Sequence, residues 1–272
     1  MVRFILLLCV MAVIFSGTSW ANALLYVAPS RVVIKGDSRT EVVSVTNKSD
    51  QVRRYKIKFI DQVMGANGVT QPQETFDYSS KRMVRFMPRE ITLKPGERQL
   101  VRLMVRRPKD LADGDYHTHM LFEEEQLTAE ELASEDLGGN AVKFEVGAIY
   151  SVAVPVVVQK GKVFYEVSLL GAEVVKDEKG KSFLQAHVAR QGNSEGYGAL
   201  YTKFIGEDGT EKKLSSPQSI RLYREVDEVR LAVRITEVQD LDSLGKGKIV
   251  LTLRAGMGEE KPVLGEVAVF VE

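Results

Sequence analysis

The stretch KFEVGAIYSVAVPVVVQKG, Lys143 to Gly161, decides how this chain is read. From Phe144 to Gln159 nearly every residue is apolar or small, and a set of apolar residues alternates: Phe144, Val146, Ala148, Tyr150, Val152, Val154, Val156, Val158. Period-two alternation with so many β-branched side chains predicts a strand, and Pro155 argues against a helix. An ordinary strand is roughly 5–6 residues long, so this one is too long to be covered along its whole length by one small sheet. Two readings fit it. It is a central strand buried on both faces, which suits Val152 to Val158, or its first half is offered to something outside its own sheet. Glu145, Gly147 and Ser151 interleave with the apolar set in that first half and favour the second reading.

Outward from this stretch, the chain is strand-rich on both sides. Upstream, LYVAPSRVVI, TEVVSVTN, VRRYKIKFI, QLVRLMVRR and YHTHMLFEE are short alternating or β-branched runs. Turn chemistry separates them, as at Gly36-Asp37, Asn47-Lys48-Ser49-Asp50, Gly65-Ala66-Asn67-Gly68 and Pro95-Gly96. Downstream of Gln159 to Lys162 a second set follows: VFYEVSLLG, SFLQAHVARQ, GALYTKFIG, QSIRLYR, EVRLAVRI, KIVLTLRA and GEVAVFVE. About seven strands with breaks every 8–12 residues is the cue for an immunoglobulin-like sandwich. The expected fold class is all-β, two such domains set at an angle: 24–159 and 160–272. One stretch, LTAEELASEDLGG, has helical character, with Thr128 and Glu131 at capping-box spacing and Gly138-Gly139 as a stop. Its acids predict a mobile acidic loop.

The first 23 residues are expected to be a secretory signal peptide. Arg3 precedes the apolar run Phe4 to Phe15, and Ala21-Asn22-Ala23 is a small-x-small cleavage pattern. The run is shorter than the about 20 apolar residues a spanning helix needs. Cleavage after Ala23 would remove Cys9 and Trp20, the only residues of their types, so the exported chain would hold no disulfide. Charge is balanced overall, 37 basic against 37 acidic residues, which gives no footing for a nucleic-acid partner. It is segregated along the chain, however: Arg31 to Lys109 holds 18 Lys and Arg against 8 acids, and Asp110 to Glu145 holds 11 acids against Lys143.

The order of features is more specific than any one of them. The predicted signal, APSRVVI, VTNKS, PREITLKPGERQLVRL, GDYHTHMLF, the acidic segment and the long strand entering a second β-domain together resemble the PapD-like chaperones of pilus and fimbrial assembly. The resemblance covers about Leu24 to Gly161, with the second half following more loosely, and the YHTHMLF form looks like a divergent branch. It implies a periplasmic location, pilus or fimbrial subunits as partners, an outer-membrane usher, and no cofactor. It also implies a role for the long strand: Phe144, Val146, Ala148 and Tyr150 would be lent to a subunit sandwich that lacks a strand, by donor-strand complementation. By the same resemblance Arg31 would sit in the interdomain cleft and bind a subunit's C-terminal carboxylate, although as a surface charge it needs no such role. The family's long-strand lysine is missing here, since no basic residue lies between Lys143 and Lys160. An exposed apolar strand also predicts self-capping homodimers when no subunit is present.

Enzymatic chemistry finds no foothold. There is no G-x-S-x-G elbow and no glycine-rich loop before a helix. His117 and His119 share a strand face, a spacing that can serve a metal, but with His187 the only other histidine they are expected to be surface residues. The alternative to a chaperone is a secreted structural or adhesive β-sandwich.

Overall fold

The computed structural model describes residues 24–126, 150–238 and 240–271, and within them the chain builds two β-sandwiches. The first holds ten strands: β1 (Leu25–Ala28), β2 (Val32–Ile34), β3 (Thr40–Asn47), β4 (Arg53–Met64), β5 (Thr70–Gln73), β6 (Val84–Met87), β7 (Glu90–Leu93), β8 (Arg98–Val105), β9 (Gly114–Glu125) and β10 (Ser151–Lys160). One sheet runs β1-β3-β8-β6 and the facing sheet β2-β10-β9-β4-β5, with β7 also on β4. The second half adds β11 (Tyr165–Lys176), β12 (Ser182–Gly192), β13 (Gly196–Gly206), β14 (Glu211–Lys213), β15 (Gln218–Leu222), β16 (Glu228–Val233), β17 (Gly247–Arg254) and β18 (Val263–Val271). These form β11-β12-β16 against β14-β13-β17-β18, with β15 on β13.

Alternation explains both cores. On β8, Val101, Leu103 and Val105 are buried while Arg98 and Arg102, and Arg106 just past its end, face solvent, as a half-buried strand requires. Val43 and Val45 of β3 join them, and Tyr55, Ile57, Met120, Phe122, Val154, Val156 and Val158 close the layer from the other sheet. The second core gathers Leu184, Ala186, Val188, Leu200, Leu222, Ile249, Leu251 and Leu253. Burying side chains of this size stabilises each sandwich by about 1.5–3 kcal/mol apiece.

Two polar residues finish the first sandwich. Asn47, fully buried in the VTNKS motif, donates from Nδ2 to the carbonyls of Gln51 (2.7 Å) and Leu93 (2.9 Å), and its Oδ1 accepts from the Ser49 amide (2.9 Å) and hydroxyl (2.7 Å). The motif is thus a turn lock tied to β7. Arg107 joins three segments by donating to the carbonyls of Gln159 (2.7 Å), Ser38 (2.7 Å) and Ile34 (2.9 Å).

The long strand is described from Ser151. Phe144, Val146 and Ala148 and the acidic stretch from Leu127 to Gly139 lie outside the described residues. β10 pairs antiparallel with β9 over its full length and parallel with β2 at Val156–Val158 only. Strand β14, the sequence Glu-Lys-Lys, has no apolar alternation and went unanticipated; pairing with β13 alone forms it.

Candidate functional site

The first seven residues of β9, Gly114 to Met120, are all buried, without the alternation of the rest of that strand. A second cover explains this: their outer side lies against the second sandwich. At Gly114 (φ +142°) a Cβ would stand 2.6 Å from the Asn193 carbonyl and also run into the Arg224 guanidinium, so only glycine allows this approach. The Asp115 amide donates to the Asn193 carbonyl (2.9 Å), and the Asp115 carboxylate accepts from the Glu195 amide (3.0 Å). Higher up, the β4–β5 hairpin reaches across: the Ala66 carbonyl accepts from the Arg230 amide (2.7 Å), and Met64 packs into the second core.

The facing loops are organised by Arg190, which is 3% exposed. Its Nε donates to Val226 (2.8 Å), Nη1 to Gly192 (2.9 Å) and Ser194 (3.0 Å), and Nη2 to Arg224 (2.7 Å), all backbone carbonyls, with Asp227 Oδ1 at 3.3 Å. A guanidinium with every N–H used fixes the 192–194 and 224–227 loops as one body.

This junction corrects the reading of the two histidines. His117 and His119 are 1% and 4% exposed, because the second sandwich covers what would be the outer face of β9. The His117 ring stacks on Tyr223 (centroids 4.1 Å apart, 13° between planes), and its Nε2 lies 3.1 Å from Glu225 Oε2. Glu225 Oε1 also accepts from the Met64 amide (2.9 Å). Burial works to raise Glu225, but the His117 hydrogen bond and charge and the Met64 amide outweigh it and hold the carboxyl low. His119 Nε2 lies 3.3 Å from the Tyr223 hydroxyl; burial, helped by His117 and Arg31, pulls its pKa down to about 4. Desolvation pushes Asp115 up. Among the described residues no group of three His, Cys, Asp or Glu side chains could hold a metal ion.

Arg31 stands just before β2 and points into the same junction. It forms an ion pair with Glu195 of the second sandwich, its Nη1 donates to the Tyr223 hydroxyl (3.5 Å), and its guanidinium lies 5.5 Å from the Tyr223 ring centroid. The two charged side chains are 15% and 12% exposed. Burial lowers the Arg31 pKa. On the open side, Arg221 Nη1 lies 3.5 Å from Glu195 Oε1. Family resemblance points to Arg31 in the sequence, but nothing there points to Glu195, Tyr223, Arg221 or Glu225. No spacing rule links those positions, which meet only through the packing of one sandwich on the other.

The second feature is the start of β10. On its core-facing side Val158, Val156 and Val154 are 0%, 0% and 2% exposed, Val152 is half-buried, and Tyr150 is 52% exposed. Among the described residues, the edge next to β2 has no strand partner along Ser151–Pro155. Tyr150 is held at the backbone, its amide donating to Glu124 Oε2 (3.3 Å) and its carbonyl accepting from the Glu124 amide (3.1 Å). Glu124 in turn is ion-paired to Arg53. Cover is lost residue by residue toward the part of the chain that holds the other expected donor residues.

No family model matches the chain, and no curated protein matches it. Among solved structures it is similar to a chaperone–tip adhesion subunit pre-assembly complex, CsuC–CsuE, from the archaic chaperone–usher Csu pili of Acinetobacter baumannii. That match has 12% identity and a TM-score of 0.49, covering 91% of this chain and 98% of the other. It is also similar to the E. coli chaperone DraB (12% identity, TM-score 0.44, 91% and 97% covered). A third is the Salmonella enterica SafA pilin in complex with the SafB chaperone (8% identity, TM-score 0.43, 91% and 96% covered).

Proposed function

We propose that this chain is a periplasmic chaperone that binds and caps pilus or fimbrial subunits by donor-strand complementation before they are assembled at an outer-membrane usher. The observation that carries the reading is the start of β10, where a core-facing row of side chains runs out of cover beside a strand edge with no partner among the described residues. An open edge with apolar side chains is a hazard that proteins ordinarily suppress, so a partner that pairs with it gives the exposure a purpose. A subunit lacking one strand offers the complement: unpaired backbone groups and an apolar groove. In this reading Phe144, Val146, Ala148 and Tyr150 enter the groove, and Arg31 receives the subunit's C-terminal carboxylate. The expected signal peptide, ending at Ala23, delivers the chain to the compartment where such subunits fold. Without a subunit, the same edge pairs two copies into a homodimer.

The test is native mass spectrometry of the tagged protein taken from the periplasm of cells making fimbriae, beside Val146→Lys. A one-to-one complex with a small β-rich subunit, lost in the variant while its fold is retained, is the expected result. Equal capture by Val146→Lys would overturn the donor role. Absence of any subunit would favour a structural or adhesive β-sandwich.

A further inference from the structure

Two guanidiniums converge on one carboxylate at the junction. Glu195 Oε2 meets Arg31 on the buried side, and Oε1 lies 3.5 Å from Arg221 on the side open to solvent. Arg221 is 42% exposed in its side chain and lies over the Tyr197 ring, 4.6 Å from its centroid, so it forms the mouth of the arrangement. The backbone that carries Glu195 is fixed. Its amide is held by Asp115 (3.0 Å), the Ser194 carbonyl by Arg190 (3.0 Å), and Asn193 by the Phe164 amide and the Lys162 carbonyl (both 2.9 Å). The Glu195 side chain itself is held only by its two ion pairs, to Arg31 and Arg221. Arg31 Nε is buried and has no hydrogen-bond partner among the described residues. A carboxylate docking side-on against a guanidinium engages two N–H groups at once, which the tethered Glu195 does not do here.

We infer that Arg31 and Arg221 form a two-arginine carboxylate site whose resident occupant is the Glu195 side chain, and that an incoming chain-terminal carboxylate enters by exchanging with it. The inference rests on the reading of Arg31 given above and adds to it the second cation and the resident competitor. Exchange answers a physical difficulty: a buried guanidinium left bare is strongly destabilising, so one carboxylate must replace another. When displaced, Glu195 swings toward solvent past Arg221.

The experiment is chemical rescue of the full exported chain, followed by thermal unfolding at neutral pH. Glu195→Ala is expected to melt below the wild type. Acetate is expected to restore part of the loss in a saturable way, where chloride at equal ionic strength does not. A short peptide with a free C-terminal carboxylate should act at lower concentration than its amidated form. The Arg31→Ala/Glu195→Ala double variant should not respond, and Arg221→Ala/Glu195→Ala should need roughly tenfold more acetate. Rescue by chloride equal to that by acetate, or an equal response from the Arg31 double variant, would overturn the site. Should Glu195→Ala not fold, Glu195→Gln keeps the volume and removes the charge. It should bind the free-carboxylate peptide more tightly than the wild type, and equal binding would remove Glu195 as the occupant. None of these measurements uses a subunit, so failure here and failure of subunit capping are read separately.

Discussion

Histidine 119 shows how far one side chain's chemistry depends on what another part of the chain places over it. On the strand alone it alternates with His117 and looks like a wet ring; under the second sandwich it is 4% exposed and held neutral. Burial and the nearby charges of His117 and Arg31 bring its pKa from 6.5 to about 4, against smaller opposing pulls from Asp61 and Glu225. The sign follows from linkage: as pH falls, the unfolded chain protonates this ring before the folded chain does. Stability from His119 is therefore whole above about pH 6.5 and drains away as pH falls toward about 4. Glu225, also held low, adds a loss of the same sign at lower pH, while Asp115, pushed up by burial, works the other way. Denaturant unfolding measured from pH 7 to 4 should show stability falling with acid, and His119→Gln should flatten that slope. An unchanged slope in the variant would mean that other groups carry the dependence.

At the scale of the element, alternation made most strands legible, and its failures are informative. β8 follows from its sequence because it has one wet face and one packed face, and the later part of β10 because Val156, Val157 and Val158 are apolar and buried on both faces. β9 could not be read so simply, since its first half is covered twice. The junction residues were legible only at Arg31, and there through family resemblance rather than spacing; Glu195 and Tyr223 carry no periodic signal of their role. β10 itself makes a measurable distinction. Among the described residues, Val156–Val158 have strand neighbours on both edges, whereas Ser151–Pro155 have one. Backbone amides on the open side of Ser151–Ala153 should exchange with deuterium faster than the amides of Val156–Val158 in the free protein. They should slow when a partner is bound. Uniform protection along β10 in a dilute, monomeric sample would contradict an open edge.

For the molecule as a whole, the contact between sandwiches is built from charge, aromatic stacking and close backbone approach more than from a shared apolar core. Arg224 lies over Tyr78 at 4.2 Å from the ring centroid, His117 stacks on Tyr223, and Gly114 admits the Asn193 loop. Such a junction is specific in geometry, and it should also be separable. Gly114→Val would push a side chain into the Asn193 carbonyl while leaving both cores untouched. The wild type is expected to unfold in one calorimetric transition, and the variant in two. One transition at an unchanged midpoint would show that the approach at Gly114 is not what couples the halves.

The parallel pairing of β2 with the end of β10 has a consequence in time. A chain made from its N-terminus presents Val32–Ile34 early, yet their partners Val156–Val158 arrive only after nearly all of the first half has followed. Met64 waits longer still, for a core that includes Leu251 and Leu253. The first sandwich cannot close until the end of β10 has been made, and Met64 finds its place only with the second. A chain interrupted before Val156 therefore keeps β2 bare and open to aggregation or proteolysis.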